Sequence, residues 1–288
     1  MKNTNKVYKN FDQDTLDREY TIRYTVPSIE PFIVDYTRLS AEARSFCECR
    51  EDVSYGQHPD EILDIFPGGT NTPVFVYFHG GYWRMLSQKE SAFMAPCFVK
   101  QGVAIVAVNY SLAPGASIDT IVRQCQDAIC WIWHNANGFG GDPNKIFVCG
   151  SSAGGHLTGM MVSGGWQAER KIPLDVVKGG VPLSGLHDLE PVRLSNINEW
   201  IQMDEAAAQR NSPIHNLPDV GCPLIISFGG SETSEFKRQS KILYDAWQQN
   251  RWSVEFFEHD KRNHFDLVFD LCDENSLLGQ KVFDMIKG

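Results

Sequence analysis

The pentapeptide Gly150-Ser151-Ser152-Ala153-Gly154 sets a serine midway between two glycines, directly after an apolar run and directly before a helical one. A serine hydroxyl is a poor nucleophile at neutral pH and becomes useful only when it is held in the open and supplied with a base. A sharp strand-to-helix turn does the first, and glycines two places on either side remove the Cβ atoms that would collide there. Ser152 is therefore the expected nucleophile. The adjacent Ser151 is not, because the glycines are centred on its neighbour.

Attack on a carbonyl builds negative charge on its oxygen, and backbone N–H donors must be aimed at that charge. The stretch His79-Gly80-Gly81-Tyr82-Trp83 follows the apolar run Val74 to Phe78 and suits this need, since consecutive glycines let the chain approach closely. The expected donors are Gly81 and Ala153, with Gly80 as a third. His79 reads as a scaffold residue of the loop rather than an acid or base.

A base must come from elsewhere in the chain, and in elbow-bearing sheets of this kind the order is nucleophile, acid, histidine. Of the five histidines after Ser152, His156 lies one turn into the helix that follows the serine, while His187 and His215 precede the expected acid. His264, in a loop between the last strand and the C-terminal helical segment, is the expected base, with His259 as the fallback. For the acid, the segment Gly229-Gly230-Ser231-Glu232-Thr233-Ser234-Glu235 follows an apolar run and offers Glu232 nearest its end. Glu235 reads more simply as a first-turn helical residue whose charge suits the macrodipole. Asp266 and Asp188 are minor candidates.

These side chains need a frame. Val74 to Phe78, Val103 to Asn109, Ile146 to Gly150, Val177 to Leu183, Leu224 to Phe228 and Val254 to Phe257 are short apolar runs of the kind buried on both faces of a parallel sheet. Between them, Ile118, Ile121, Val122, Cys125, Ile129, Ile132 and Trp133 form a helical stripe. Strands alternating with helices imply an α/β fold: a mostly parallel central sheet with helices on both faces and ligands bound beyond the carboxyl ends of the strands. Residues 1–60 read as a lead-in, helical around Tyr36 to Arg50, packed on a main domain of 61–288. Residues 186–218 break the rhythm with Pro191, Pro213 and Pro218, and read as a small cap with a helical stretch near Glu199 to Arg210.

The whole chain of 288 residues carries a formal net charge of −10, with no basic run beyond Lys261-Arg262, which argues against a nucleic-acid surface. No apolar stretch has the length of a membrane span, and the N-terminal residues lack an apolar core after their positive charges, so the chain reads as cytoplasmic. Eight scattered cysteines with no CxxC pair read as free thiols, and Cys47-Glu48-Cys49 has no further ligands nearby for a metal. Neither metal nor cofactor is expected. The expected partner is a small-molecule substrate, and a homodimer is left open.

Taken in order, His79-Gly80-Gly81-Tyr82-Trp83, the Ser152 elbow with Gly155-His156-Leu157, Ser184-Gly185 leading into Asp188-Leu189-Glu190-Pro191, Glu235-Phe236 with Gln239-Ser240, and Asn263-His264-Phe265-Asp266 resemble the arylformamidases, or kynurenine formamidases. These belong to the α/β-hydrolase fold and are related to the hormone-sensitive-lipase-like esterases, which the chain also resembles. The resemblance runs from about residue 15 to the C-terminus and carries the family triad onto Ser152, Glu232 and His264. Glu232 stands where the family commonly has Asp, Ser151 where it often has His, and His187 where it usually has Tyr. The resemblance implies hydrolysis of an aryl formamide such as N-formylkynurenine. Tyr82 and Trp83 are expected to wall an aromatic-accepting pocket, with plain packing of the loop as the alternative for Trp83, and Ser151 and His187 are expected to border it. The alternatives are a carboxylesterase acting on short acyl or aryl esters and a non-catalytic binding protein that has kept the fold.

Overall fold

The computed structural model describes residues 6–288, so the first five residues of the expected lead-in lie outside it. Eight strands form one sheet: β1 (Arg50–Ser54), β2 (Ile62–Phe66), β3 (Thr72–Phe78), β4 (Ala104–Val108), β5 (Gly141–Ser151), β6 (Val177–Leu183), β7 (Leu224–Gly229) and β8 (Val254–His259). Their order is β1-β2-β4-β3-β5-β6-β7-β8. The pairs β1/β2 and β2/β4 are antiparallel and every other pair is parallel. The helices are α1 (Gln13–Tyr20), α2 (Glu30–Phe46), α3 (Ala95–Lys100), α4 (Ile118–Asn135), α5 (Ala153–Val162), α6 (Trp166–Arg170), α7 (Glu190–Leu194), α8 (Asn198–Ile201), α9 (Glu205–Arg210), α10 (Ser234–Gln249) and α11 (Leu277–Lys287).

Alternation along the central strands builds two cores from one sheet. On β3, Val74, Val76 and Phe78 join the core that holds the apolar faces of α4, α5 and α10. Phe75 and Tyr77 point the other way, into the core formed with α2, α3 and α11. The stripe predicted for α4 is its buried face, from Ile118 through Ile121, Val122, Cys125 and Ile129 to Ile132. Ser117 starts that helix by accepting a hydrogen bond from the Thr120 N–H.

Three local expectations differ from what is observed. The helix expected from Tyr36 to Arg50 runs instead from Glu30 to Phe46, because Pro31 fits its first turn and Cys47 is already extended. Arg50 then opens β1, so a strand of the sheet lies within the stretch read as a lead-in. That strand is mostly exposed and polar, which hides it from a search for apolar runs. Within residues 186–218, the helical stretch expected from Glu199 to Arg210 is two helices, α8 and α9. Gln202, at φ 55°, ends the first, and the Asp204 side chain caps the second on the Ala207 N–H. Among the described residues, no helix is long and apolar enough to cross a membrane.

Candidate active site

The four parallel strands β3, β5, β7 and β8 all deliver loops to the same carboxyl edge of the sheet. Ser152 stands between β5 and α5 with φ 59° and ψ −118°, a conformation that costs a non-glycine residue of order 1–3 kcal/mol. Its surroundings hold it there. The Ser152 N–H donates to Leu183 O at 2.9 Å, tying the elbow to the end of β6. The glycines are required by close backbone approach: a Cβ at Gly154 would lie 2.0 Å from Phe78 O, and one at Gly150 would lie 2.4 Å from Gly154 O.

His264 comes from the loop after β8, and its Nδ1 stands 3.3 Å from Glu232 Oε2. The two atoms touch but are not aligned as a hydrogen bond in this state. The other carboxylate oxygen, Glu232 Oε1, accepts from the Gly229 N–H at 2.8 Å and from Ser184 Oγ at 2.5 Å. The Glu232 side chain is wholly buried, and these two donors fix its orientation with Oε2 toward the imidazole. Phe236 meets the His264 ring edge-on at 4.8 Å, which limits its rotation.

The loop after β3 is held with equal care. Gly81 has φ +93°, and a Cβ there would lie 2.3 Å from Met85 O. Tyr82 and Trp83 follow with φ 50° and 56°, so three consecutive residues are left-handed and the loop is tightly wound. A Cβ at Gly80 would lie 2.9 Å from Ser151 O, so this loop lies directly against the elbow. Ala153 is the first residue of α5 and is fully buried. As a first-turn residue its N–H has no intrahelical acceptor.

Ser152 and His264, 7% and 4% exposed, line one cavity of about 350 Å³. Gly80, Gly81, Tyr82 and Ser151 line it too. Two residues expected at the pocket are elsewhere. Trp83 is fully buried behind the loop, where its indole N–H donates to His156 Nδ1 at 3.2 Å. The left-handed turn at Tyr82 and Trp83 sends successive side chains in different directions, so only Tyr82 faces the cavity. His187 is also fully buried, its ring filling the space left by Gly159 and Gly185 rather than bordering the cavity.

The remaining candidates have other duties. His156 is locked between Trp83 and Asn211 O, the latter at 2.7 Å from Nε2. His79 stacks on Tyr110 with ring centroids 3.9 Å apart and bonds Gly80 O through Nδ1. Burial pushes His79 and His156 down to about 4 and His187 to about 3, so all three are neutral near pH 7. His259 pairs with Asp270 through Nδ1 at 3.2 Å. Glu235 accepts from Tyr20 Oη at 2.8 Å and pairs with Arg238, Asp188 lies near the same arginine, and Asp266 accepts from the Asn263 N–H.

Sequence reasoning placed residues 186–218 beside the site but named no residue of the upper wall. Ile22, Arg23, Tyr24, Ile29, Ile33 and Tyr36 from the N-terminal segment line the cavity, as do Asn196, Ile197 and Trp200 from the cap. For the cap residues the broken rhythm after residue 186 was a usable signal. For the N-terminal residues no local motif exists. Their placement depends on contacts such as the hydrogen bond from Tyr82 Oη to Tyr20 O and the buried trio of Tyr20, Glu235 and Gln239.

A family model described as the alpha/beta hydrolase fold matches residues 75–264. Kynurenine formamidase of Danio rerio is 31% identical, over 97% of this chain and 98% of its own. That of Salmo salar is 29% identical, also over 97% and 98%. Among solved structures, a provisionally assigned thioesterase from a Silicibacter species superposes with a TM-score of 0.81 at 27% identity, covering 95% of this chain and 99% of that one.

Proposed function

Since the chain belongs to the α/β-hydrolase family, in the group that includes the kynurenine formamidases, we propose that it is a serine hydrolase of aryl formamides such as N-formylkynurenine. Ser152 is the nucleophile, His264 the general base and Glu232 the carboxylate that orients it. The observation that carries this reading is the single cavity lined by both the strained Ser152 and His264, with the imidazole backed by a fully buried, doubly hydrogen-bonded glutamate.

In the reaction, Ser152 Oγ attacks the formyl carbon while its proton passes to His264 Nε2. Charge collects on the carbonyl oxygen, where the N–H groups of Gly81 and Ala153, with Gly80 beside them, stabilise it. His264 becomes an imidazolium, and Glu232 favours that cation without taking its proton. Collapse of the tetrahedral species breaks the C–N bond, and His264 hands its proton to the departing aryl amine. Water then attacks the formyl-serine by the same steps, releasing formate and restoring Ser152.

The acyl side of the site supports a small acyl group. The β3 loop lies against the elbow, with the Gly80 position in contact with Ser151 and Ser152, which leaves little depth beyond the serine. The amine side opens into a cavity with Tyr82, Trp200, Phe93 and Phe265 among its lining residues, a setting suited to an aromatic ring.

The test is turnover of N-formylkynurenine against p-nitrophenyl acetate at matched concentrations. The expected result is formate release with kcat/KM at least comparable to that of the ester. An ester preference of several orders of magnitude would replace this reading with a carboxylesterase. No turnover of either, with no labelling of Ser152 by a fluorophosphonate, would favour a binding protein.

A further inference from the structure

The cavity has a graded wall. Its floor is buried, with Ser152, Ser151 and His79 all under a tenth exposed, while Arg23, Tyr24, Arg84 and Met85 at its outer edge are exposed. Two of these rim residues carry a positive charge, in a protein whose 36 acidic residues outnumber 26 basic ones. The lining holds one carboxylate, Glu90, and it is occupied: its Oε2 accepts from the Ser87 N–H at 2.9 Å and from Ser87 Oγ at 2.8 Å.

Arginines elsewhere commonly end on a carboxylate, as Arg44 does on Asp64, Arg193 on Glu190, Arg210 on Asp119 and Arg238 on Glu235. Among the described residues, Arg23 and Arg84 take part in no ion pair. Each instead lies over an aromatic ring. Arg84 stands 4.3 Å from the centroid of Trp200, and Arg23 stands 5.8 Å from that of Tyr24. A guanidinium over a ring keeps its in-plane N–H edge free, and that edge matches a carboxylate two bonds at a time. Arg84 is also placed by its backbone, since its N–H donates to Gly81 O at 3.0 Å in the loop that touches the elbow. Trp200 in turn points its indole N–H at Tyr82 O, 3.4 Å away.

We propose that Arg84 and Arg23 form an anion-selecting rim, so that the preferred substrate carries a carboxylate on its leaving-group side, with the scissile acyl group at Ser152 and the acid end at the mouth. This rests on the proposed hydrolase reading, whose substrate N-formylkynurenine already carries such a carboxylate, and adds which residues select it. An acidic surface interrupted by two unpaired guanidiniums also steers anions to the opening, so the effect should weaken as salt rises.

The experiment compares the protein with Arg84→Gln, Arg23→Gln and the double variant on two matched substrate pairs. The ester pair is 3-acetoxybenzoate and phenyl acetate. The amide pair is N-formylkynurenine and formanilide. The quantity read is the ratio of kcat/KM for the carboxylated member over the neutral one. The double variant is expected to lower that ratio about tenfold or more, mainly through KM, while Arg84→Lys retains part of it and 0.5 M salt reduces it in the unaltered protein. A ratio that stays the same in the double variant on every pair turned over would overturn the rim. If neither formamide is turned over but the ester ratio falls, the aryl formamide reading fails and the rim stands. If formamides are hydrolysed well and neither ratio moves, the reverse holds.

Discussion

The floor and the roof of this cavity are built on different principles. The floor consists of loops that leave the carboxyl ends of β3, β5, β6, β7 and β8 within a few residues of the sheet. Its critical atoms are fixed by backbone geometry: left-handed residues at Gly81, Tyr82, Trp83, Ser152 and Ser184, and glycines whose Cβ would strike a carbonyl. The roof consists of residues 21–36 and the α7–α9 region. It is held by side chains, including the Tyr20, Glu235 and Gln239 hydrogen bonds, the Tyr82 contact to Tyr20 O, and the Arg84 and Trp200 pair. A site of this kind keeps its reacting groups rigid and varies what it accepts through the wall that costs least to change.

That contrast can be broken most sharply at the floor. Ser152→Ala should lower kcat by about 10³-fold or more, and Glu232→Gln by a smaller but still large factor, about 10²-fold or more. The far-ultraviolet circular dichroism of both should stay native. Glu235→Gln, three residues on in the first turn of α10 and hydrogen-bonded to Tyr20, should cost less than Glu232→Gln in kcat. If it costs more, the orienting acid is misplaced and the division between floor and roof fails at that point.

Changes in the roof should act on binding. Trp200→Ala removes an aromatic wall and the support of Arg84, and is expected to raise KM about tenfold while kcat changes severalfold at most. Steady-state kinetics on N-formylkynurenine would separate the two constants. A collapse of kcat at unchanged KM would show that the roof takes part in the chemistry.

The last test concerns acid, and its readout is stability rather than catalysis. His79, His156 and His187 are buried and neutral, with values lowered from 6.5 to about 4, 4 and 3. The unfolded chain takes up protons at these sites before the folded one does, so their contribution to stability is intact above about pH 6.5. It declines as pH falls toward 4, by about 1.4 kcal/mol per unit for each histidine. Urea denaturation between pH 7 and 5 should show this decline, and His187→Asn should make its slope shallower. An unchanged slope would mean that His187 is not held neutral where it packs under the cap.

The extent to which the site was legible follows the same division. Ser152, the β3 loop and His264, which meet at one cavity, stand out in the sequence because each lies in a short motif whose residue types answer a local steric demand, and local demands leave marks within five residues. Glu232 stands out by its place after an apolar strand, whereas its contact with His264 and its hydrogen bonds to Ser184 and Gly229 have no mark in the sequence. Trp83 and His187 were misread as pocket walls because nothing in a sequence states which way a side chain leaves a tight turn. β1 was missed because its residues are polar and its reason for being a strand lies in its partner, β2.

By itself, the sequence determined six of the eight strands, the alternation of strand and helix and the elbow after β5, since hydrophobic period and glycine spacing act over neighbouring residues. The tertiary structure alone decided that residues near 23 would meet residues near 84 and 200 around one cavity, and that Glu235 would serve the roof and Glu232 the imidazole. Those outcomes depend on packing between segments far apart in the chain, where the energy of each contact exists only once the sheet has brought both sides together.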